Sequence, residues 1–229
     1  MSLSRIRRTL VPAAMAAALL SGCSSNGVAP GVALSIGDDS VARSEVNQVA
    51  EAVCETIQPE LEQTGEQVPM SQLKQYALSL LTVRLQAEQV AEAQDLEPSA
   101  AYRQDVERVE AEAETLPEDL RESYVKALST EAYLTSLMSQ MGERALAEEG
   151  VTASSEEEVM QRGSQLFAAE VVDNKSAVDP SYGAVMIDGV LERAQTGTSV
   201  PVSDAATALL GEEVDPQEIA ALPESQRCN

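Results

Sequence analysis

The chain has 229 residues, with 15 lysines and arginines against 38 aspartates and glutamates, a formal charge of −23 and no histidine. So acidic a chain lacks the Lys and Arg clusters that neutralise nucleic-acid phosphates. The missing imidazole excludes Ser-His and Cys-His nucleophiles, histidine zinc sites and histidine general bases.

The first 23 residues set the compartment. Arg5, Arg7 and Arg8 precede eleven apolar residues at 10–20, and Leu20-Ser21-Gly22-Cys23 follows. A basic start and a short apolar run have the order of a secretory signal, and the run is shorter than the roughly 20 residues a membrane-crossing helix needs. Small residues directly before a cysteine resemble a bacterial lipoprotein signal. That resemblance implies cleavage after residue 22, diacylation of Cys23 and an extracytoplasmic, membrane-held protein. Two or three acyl chains make such attachment stable, where one alone is marginal. Loss of the signal removes three of the fifteen basic residues and takes the formal charge to −26.

With Cys23 acylated, Cys54 and Cys228 remain. An oxidising compartment favours pairing them, which would close nearly the whole mature chain into one loop. Two buried free thiols are the alternative.

Residues 24–31 read as a tether reaching about 28 Å at most when extended. Val32, Leu34 and Ile36 alternate with small residues and predict a strand, followed by a turn at 37–40. A helix is expected from residue 42 or 44, with Val46, Val49, Ala50, Val53 and Ile57 on its apolar face and Pro59 bending or ending it. A second helix is predicted over 69–95, apolar round most of its circumference and therefore central. A third opens near Ser99 and places Tyr102, Val106, Val109 and Ala113 inward until Leu116 and Pro117 break it. A single helix is expected from 117 to 147, carrying Leu120, Tyr124, Leu128, Leu134, Leu137, Met138 and Met141. Ser155 with Glu158 fits a capping box and starts a helix bearing Val159, Met160, Leu166, Phe167 and Val171.

Past that point the pattern changes. Residues 179–183 carry turn chemistry, and Ala184, Val185, Met186 and Ile187 read as a strand expected to pair with 32–36. A linker at 194–203 and two short helices, 203–210 and 215–222, lead Cys228 back to the body. The expected fold is mainly α: about five helices, with a small strand pair joining the N- and C-terminal segments. Its organisation is a signal at 1–22, a tether at 23–31, a helical domain at 32–191 and a linker with a returning tail at 192–229.

No GxGxxG, Walker or GxSxG motif occurs. Asp173, Asp179 and Asp188 do not follow the spacing of a calcium loop and read as solvated surface, like the glutamates at 156–158, which suit a helix N-terminus. The sequence therefore assigns no catalytic, cofactor or metal residue. Asn174-Lys175-Ser176 is a formal glycosylation sequon of no weight in a bacterial lipoprotein. Met138, Met141 and Met160 read as core packing in preference to an adaptable binding groove.

The stretch from Val32 through Gly37, Asp38, Asp39 and Ser40 to Val46 resembles the opening of SurA/PrsA-type extracytoplasmic chaperones, and Asp179-Pro180-Ser181-Tyr182-Gly183 is similar to the Pro-aromatic-Gly segment after their last helix. Family members often carry Asn-Gly in the first turn and Thr or Ser as the helix cap, where this chain has Gly37-Asp38-Asp39 and Ala42. The catalytic members insert a parvulin domain with active-site histidines, whereas here 42 residues follow Ile187 and histidine is absent. The resemblance thus implies a chaperone-type module without isomerase activity, whose partners are unfolded or secreted polypeptides. The rival expectation is a structural lipoprotein that scaffolds one envelope partner.

Overall fold

The computed structural model describes residues 28–171, 175–194 and 216–229. The fold is mainly helical. Six helices, α1 (Arg43–Thr64), α2 (Met70–Ala93), α3 (Ala100–Ala113), α4 (Glu118–Leu128), α5 (Thr130–Glu148) and α6 (Glu156–Val171), are followed near the C-terminus by the short α7 (Pro216–Ala220). The strands are β1 (Val32–Ile36), β2 (Asp39–Ala42), β3 (Val68–Pro69), β4 (Ser176–Val178), β5 (Ala184–Ile187), β6 (Val190–Arg193) and β7 (Arg227–Cys228).

α2 is the central helix, as its nearly all-round apolarity predicts. Leu73, Ala77, Leu78, Leu81, Ala87, Val90 and Ala91 are buried along it, and it packs against α1, α4, α5, α6 and the strands β1 and β2. One apolar cluster lies among β1, α1, the first half of α2 and Cys228. A second joins Ala87, Val90 and Ala91 of α2 to Tyr133, Leu137 and Met141 of α5 and to Val171 of α6. A third lies among Ala52 of α1, Val109 and Ala113 of α3, and Leu120 and Tyr124 of α4. Met141 is buried while Met138 and Met160 are half-buried, consistent with packing.

Three expectations are corrected. Pro59 does not end α1, which continues to Thr64 and stops at Gly65 in the left-handed conformation, its N–H donating to the Leu61 carbonyl. Burial of Leu61 in the first cluster holds the extra turns in register, and a proline removes only one ladder bond. Residues 117–147 form two helices, because Ser129 leaves helical geometry at φ −86°, ψ 3°. Its hydroxyl and that of Thr130 both donate to the Lys126 carbonyl, the competition with the backbone ladder that makes such residues poor helix interiors. Finally, β1 does not pair with 184–187. Its antiparallel neighbours are β2 and β4, with Leu34 opposite Val178 and Ile36 opposite Ser176, and part of the expected turn, Asp39 and Ser40, belongs to β2.

The two chain ends do meet, and at two places. Besides β1–β4, β3 pairs with β7, setting Val68 opposite Cys228. Beside that pairing the Cys54 and Cys228 sulfurs are bonded, with Cα atoms 5.6 Å apart. The expected helix at 203–210 lies outside the described residues.

The antiparallel pair α5–α6 is the tightest helix contact. A Cβ at Gly142 would overlap the Val159 carbonyl oxygen, and one at Gly163 would overlap that of Met138. The start of α6 carries the expected box in a shifted form. The Glu158 N–H donates to the Ser155 hydroxyl, but the Glu158 carboxylate accepts from the N–H and hydroxyl of Ser154, one residue earlier.

Candidate functional site

β5 and β6 form a two-stranded hairpin, with Ile187 opposite Val190 and Val185 opposite Glu192. Its two-residue loop is Asp188-Gly189, at φ 49° and φ 77°. Positive φ at both positions is the tight hairpin geometry that Asp-Gly favours. Alternation along a strand then divides the side chains. Ala184, Met186 and Leu191 pack against the first apolar cluster. On the opposite face Val185, Ile187 and Val190 are 38%, 46% and 58% exposed. Among the described residues only Tyr76 and Val151 are other exposed large apolar side chains, so the hairpin gathers most of this kind of surface in one place.

The hairpin is held firmly. The Gln86 amide, buried on α2, donates to the Gly189 carbonyl at 2.7 Å. At its base the Ala194 N–H donates to the Gly183 carbonyl at 2.9 Å. β6 has β5 as its one strand neighbour among the described residues. The result is a fixed apolar face beside a strand edge, the arrangement to which an extended peptide can add.

The turn before the hairpin is anchored by Asp179, one of the three aspartates expected at the surface. It is buried at 3% exposure. Its carboxylate accepts the Ser181 N–H and pairs with Arg43 at the start of α1. Burial alone would raise its pKa, but the bonds from Ser181 and the charge of Arg43 outweigh that and hold it below the usual carboxylate value. The correction has a physical reason: an aspartate ahead of a proline can accept from the turn amide and needs no water. Asp188 is exposed, as expected, in the hairpin loop, and Asp173 lies outside the described residues.

A second polar centre joins α2, α3 and α5. The Arg84 guanidinium lies 4.0 Å from the centroid of the Tyr133 ring and 5.6 Å from that of Tyr102. It donates to the Glu88 carboxylate at 2.6 Å and to the Tyr102 hydroxyl at 3.0 Å. Burial opposes its charge, yet the bonds to Glu88 and Tyr102 raise its pKa above the ordinary arginine value. Burial also pushes up the Tyr133 hydroxyl. Arg84 is engaged by residues of its own chain, Glu88, Tyr102 and the ring of Tyr133, so the cluster reads as structural.

Of the predicted site residues, Cys54 and Cys228 are brought together and Cys23 lies outside the described residues. The hairpin face was missed by sequence reasoning, although its signal, Asp-Gly between two apolar runs, is present in the sequence. Among the described residues no group of three or more Cys, Asp or Glu side chains is placed to hold a metal, and no helix is long and apolar enough to cross a membrane. Comparison with protein-family models, with curated proteins and with solved structures finds no match to the chain.

Proposed function

We propose that this is a lipid-anchored, non-catalytic, chaperone-like protein of the extracytoplasmic face, and that it binds extended segments of unfolded or secreted polypeptides. The anchor rests on the Leu20-Ser21-Gly22-Cys23 sequence, and the chaperone-like reading on the resemblance of residues 32–46 to the opening of SurA/PrsA-type chaperones and of residues 179–183 to the segment after their last helix. The observation that carries it is the outward face of the β5–β6 hairpin. Three exposed apolar side chains beside a strand edge suit a chain that supplies main-chain bonds and alternate apolar residues.

The test is suppression of aggregation of a denatured protein at stoichiometric amounts. The wild-type chain should slow aggregation, and Ile187→Thr with Val190→Thr, which keeps β-branched side chains on the hairpin and sets no like charges opposite each other, should abolish the effect with little change in Tm, both sites being exposed. A wild-type chain without effect removes the reading.

One observation favours the rival. Three side chains make a small face, nearer to what one native partner needs than to a surface for many clients. Recovery of a single folded envelope protein on the wild type, lost in the double variant and unaccompanied by any holding activity, selects the scaffold. The anchor is checked separately: Cys23→Ser should accumulate unprocessed precursor, and mass spectrometry should find acyl chains on residue 23.

A further inference from the structure

A groove of about 500 Å³ opens where α1 and α2 both begin, closed on one side by the turn at 180–182 and on the other by the C-terminal tail. Its lining includes Arg43 and Asn47 of α1, Ser71 and Lys74 of α2, and Ser225 and Gln226 of the tail, and none of the lining residues is acidic. In a chain with 38 carboxylate side chains, that makes the groove opposite in sign to the molecule as a whole. Glu224 stands in the same tail turn but outside the lining.

The two cations differ in their engagement. Arg43 is paired with Asp179 beneath the groove. Lys74 makes no ion pair or hydrogen bond among the described residues, and the side chains of Asn47, Ser71, Ser225 and Gln226 have no partner there either. A cation surrounded by hydroxyls and amides, all free to donate, matches a ligand with several acceptor oxygens and negative charge. Neither helix brings its own acceptor: the N-cap positions, Ala42 and Pro69, provide no side-chain cap.

We propose that this groove binds a phosphate-type oxyanion, and that the Cys54–Cys228 bond completes the site. The second half follows from position. Ser225 and Gln226 form the tail wall, and the next residues, Arg227 and Cys228, are held by β3 and by Cys54. Opening the bond leaves that wall tied by the two-residue β3–β7 pairing alone, while Arg43 and Lys74 stay in place.

A soluble phosphate ester and the head group of an anionic lipid carry the same chemistry. The head group is within reach if Cys23 is the anchor: the Gly31 carbonyl, at the end of the tether, accepts the Arg43 N–H at 2.9 Å, and the tether spans about 28 Å at most. The overall negative charge opposes such docking at long range, so the local sign of the groove decides only within about 8 Å. This lipid source rests on the proposed anchor, whereas the phosphate site does not.

The experiment is a titration of the processed chain, in neutral detergent micelles, with inorganic phosphate at constant ionic strength, followed by amide NMR shifts. Saturable shifts around Asn47, Ser71 and Lys74 are expected. Lys74→Glu should weaken binding by about tenfold or more, the scale of one charge-assisted bond, and Lys175→Gln, an exposed lysine outside the lining, should not. Reduction of the disulfide should weaken binding, as should Ser225→Ala with Gln226→Ala, which leaves the bond intact. Micelles doped with phosphatidylglycerol that reproduce the shifts assign the ligand as a head group; shifts with phosphate alone assign a soluble one. Absence of saturable shifts, or indifference to Lys74→Glu, overturns the site. Indifference to both reduction and the tail variant overturns the role of the disulfide. Aggregation assays do not enter these outcomes, so failure here is distinct from failure of the chaperone-like reading.

Discussion

Gly142 of α5 faces the main-chain carbonyl of Val159 on α6 so closely that no side chain fits between them, and Gly163 of α6 stands in the same relation to Met138 of α5. The relation is reciprocal, each helix giving up a side chain where the other's backbone crosses.

Replacement of either glycine by alanine should therefore destabilise the protein. In an isolated helix Gly→Ala is stabilising by about 1 kcal/mol, so the sign distinguishes packing from propensity. We expect Gly142→Ala and Gly163→Ala each to lower unfolding free energy by at least about 2 kcal/mol, at or beyond the usual range for overpacking because the obstacle is backbone. The double variant should cost less than the sum, since one displacement of α6 relieves both overlaps. Urea unfolding of the three variants is the measurement, and a stabilised Gly142→Ala would contradict the close crossing.

The Arg84 cluster predicts an asymmetry between its two tyrosines. Tyr102 accepts a bond from Arg84 through its hydroxyl, whereas Tyr133 offers Arg84 the face of its ring. Tyr102→Phe should cost about 1 kcal/mol, the net worth of a hydrogen bond. Tyr133→Phe should be nearly neutral and Tyr133→Leu clearly destabilising, because the ring is what the guanidinium uses. Arg84→Lys should recover only part of the loss seen in Arg84→Met, since an ammonium cannot stack as a planar group does. Equal costs for both Tyr→Phe changes would contradict the arrangement.

How much of this was legible beforehand depends on whether the signal was local. The apolar faces of α2 and α3, the strand β1 and the partnership of Cys54 with Cys228 followed from periodicity, alternation and compartment. Errors arose where a local signal competed with distant burial. Pro59 is a stop signal in isolation, but Leu61 and the first apolar cluster carry α1 past it. Ser129-Thr130 carries a weak break signal that the apolar run on either side concealed. The partner of β1 could not be chosen locally, because 184–187 read as a strand while the three residues at 176–178 are too short to carry an alternation of their own. What separates them is the Asp188-Gly189 loop, which commits 184–187 to β6 and leaves β4 for β1. The groove was beyond sequence reasoning altogether, since its walls come from four separate segments of the chain.

The disulfide spans 174 residues, and in the chain-entropy account so large a loop restricts the unfolded chain by up to about 5 kcal/mol. The pair Cys54→Ser and Cys228→Ser should unfold about 2–5 kcal/mol more readily than the oxidised wild type. Reductant should bring the wild type to the same denaturation midpoint and leave the double variant unmoved. A midpoint insensitive to reductant would show that the bond contributes nothing.

Asp179 gives the protein a defined acid dependence. Its pKa is lowered in the folded state, by bonds from Ser181 and by Arg43 working against burial. In the window between that lowered value and the unfolded aspartate value of about 3.9, the unfolded chain binds more protons, so stability rises with pH. The contribution is complete above the unfolded value and is lost as pH falls through the folded one. Asp179→Asn should therefore be less stable than wild type near neutrality by about 1.5–3 kcal/mol, the range for hydrogen bonds to a charged group. The gap should narrow as both proteins are acidified below about pH 4. Arg43→Gln should show the same narrowing, because it removes the charge that helps lower the carboxyl's pKa. Denaturant unfolding of the three proteins from pH 7 to pH 2.5 decides the matter: a gap that stays constant with pH would mean that the carboxylate is held by shape alone and not by its charge.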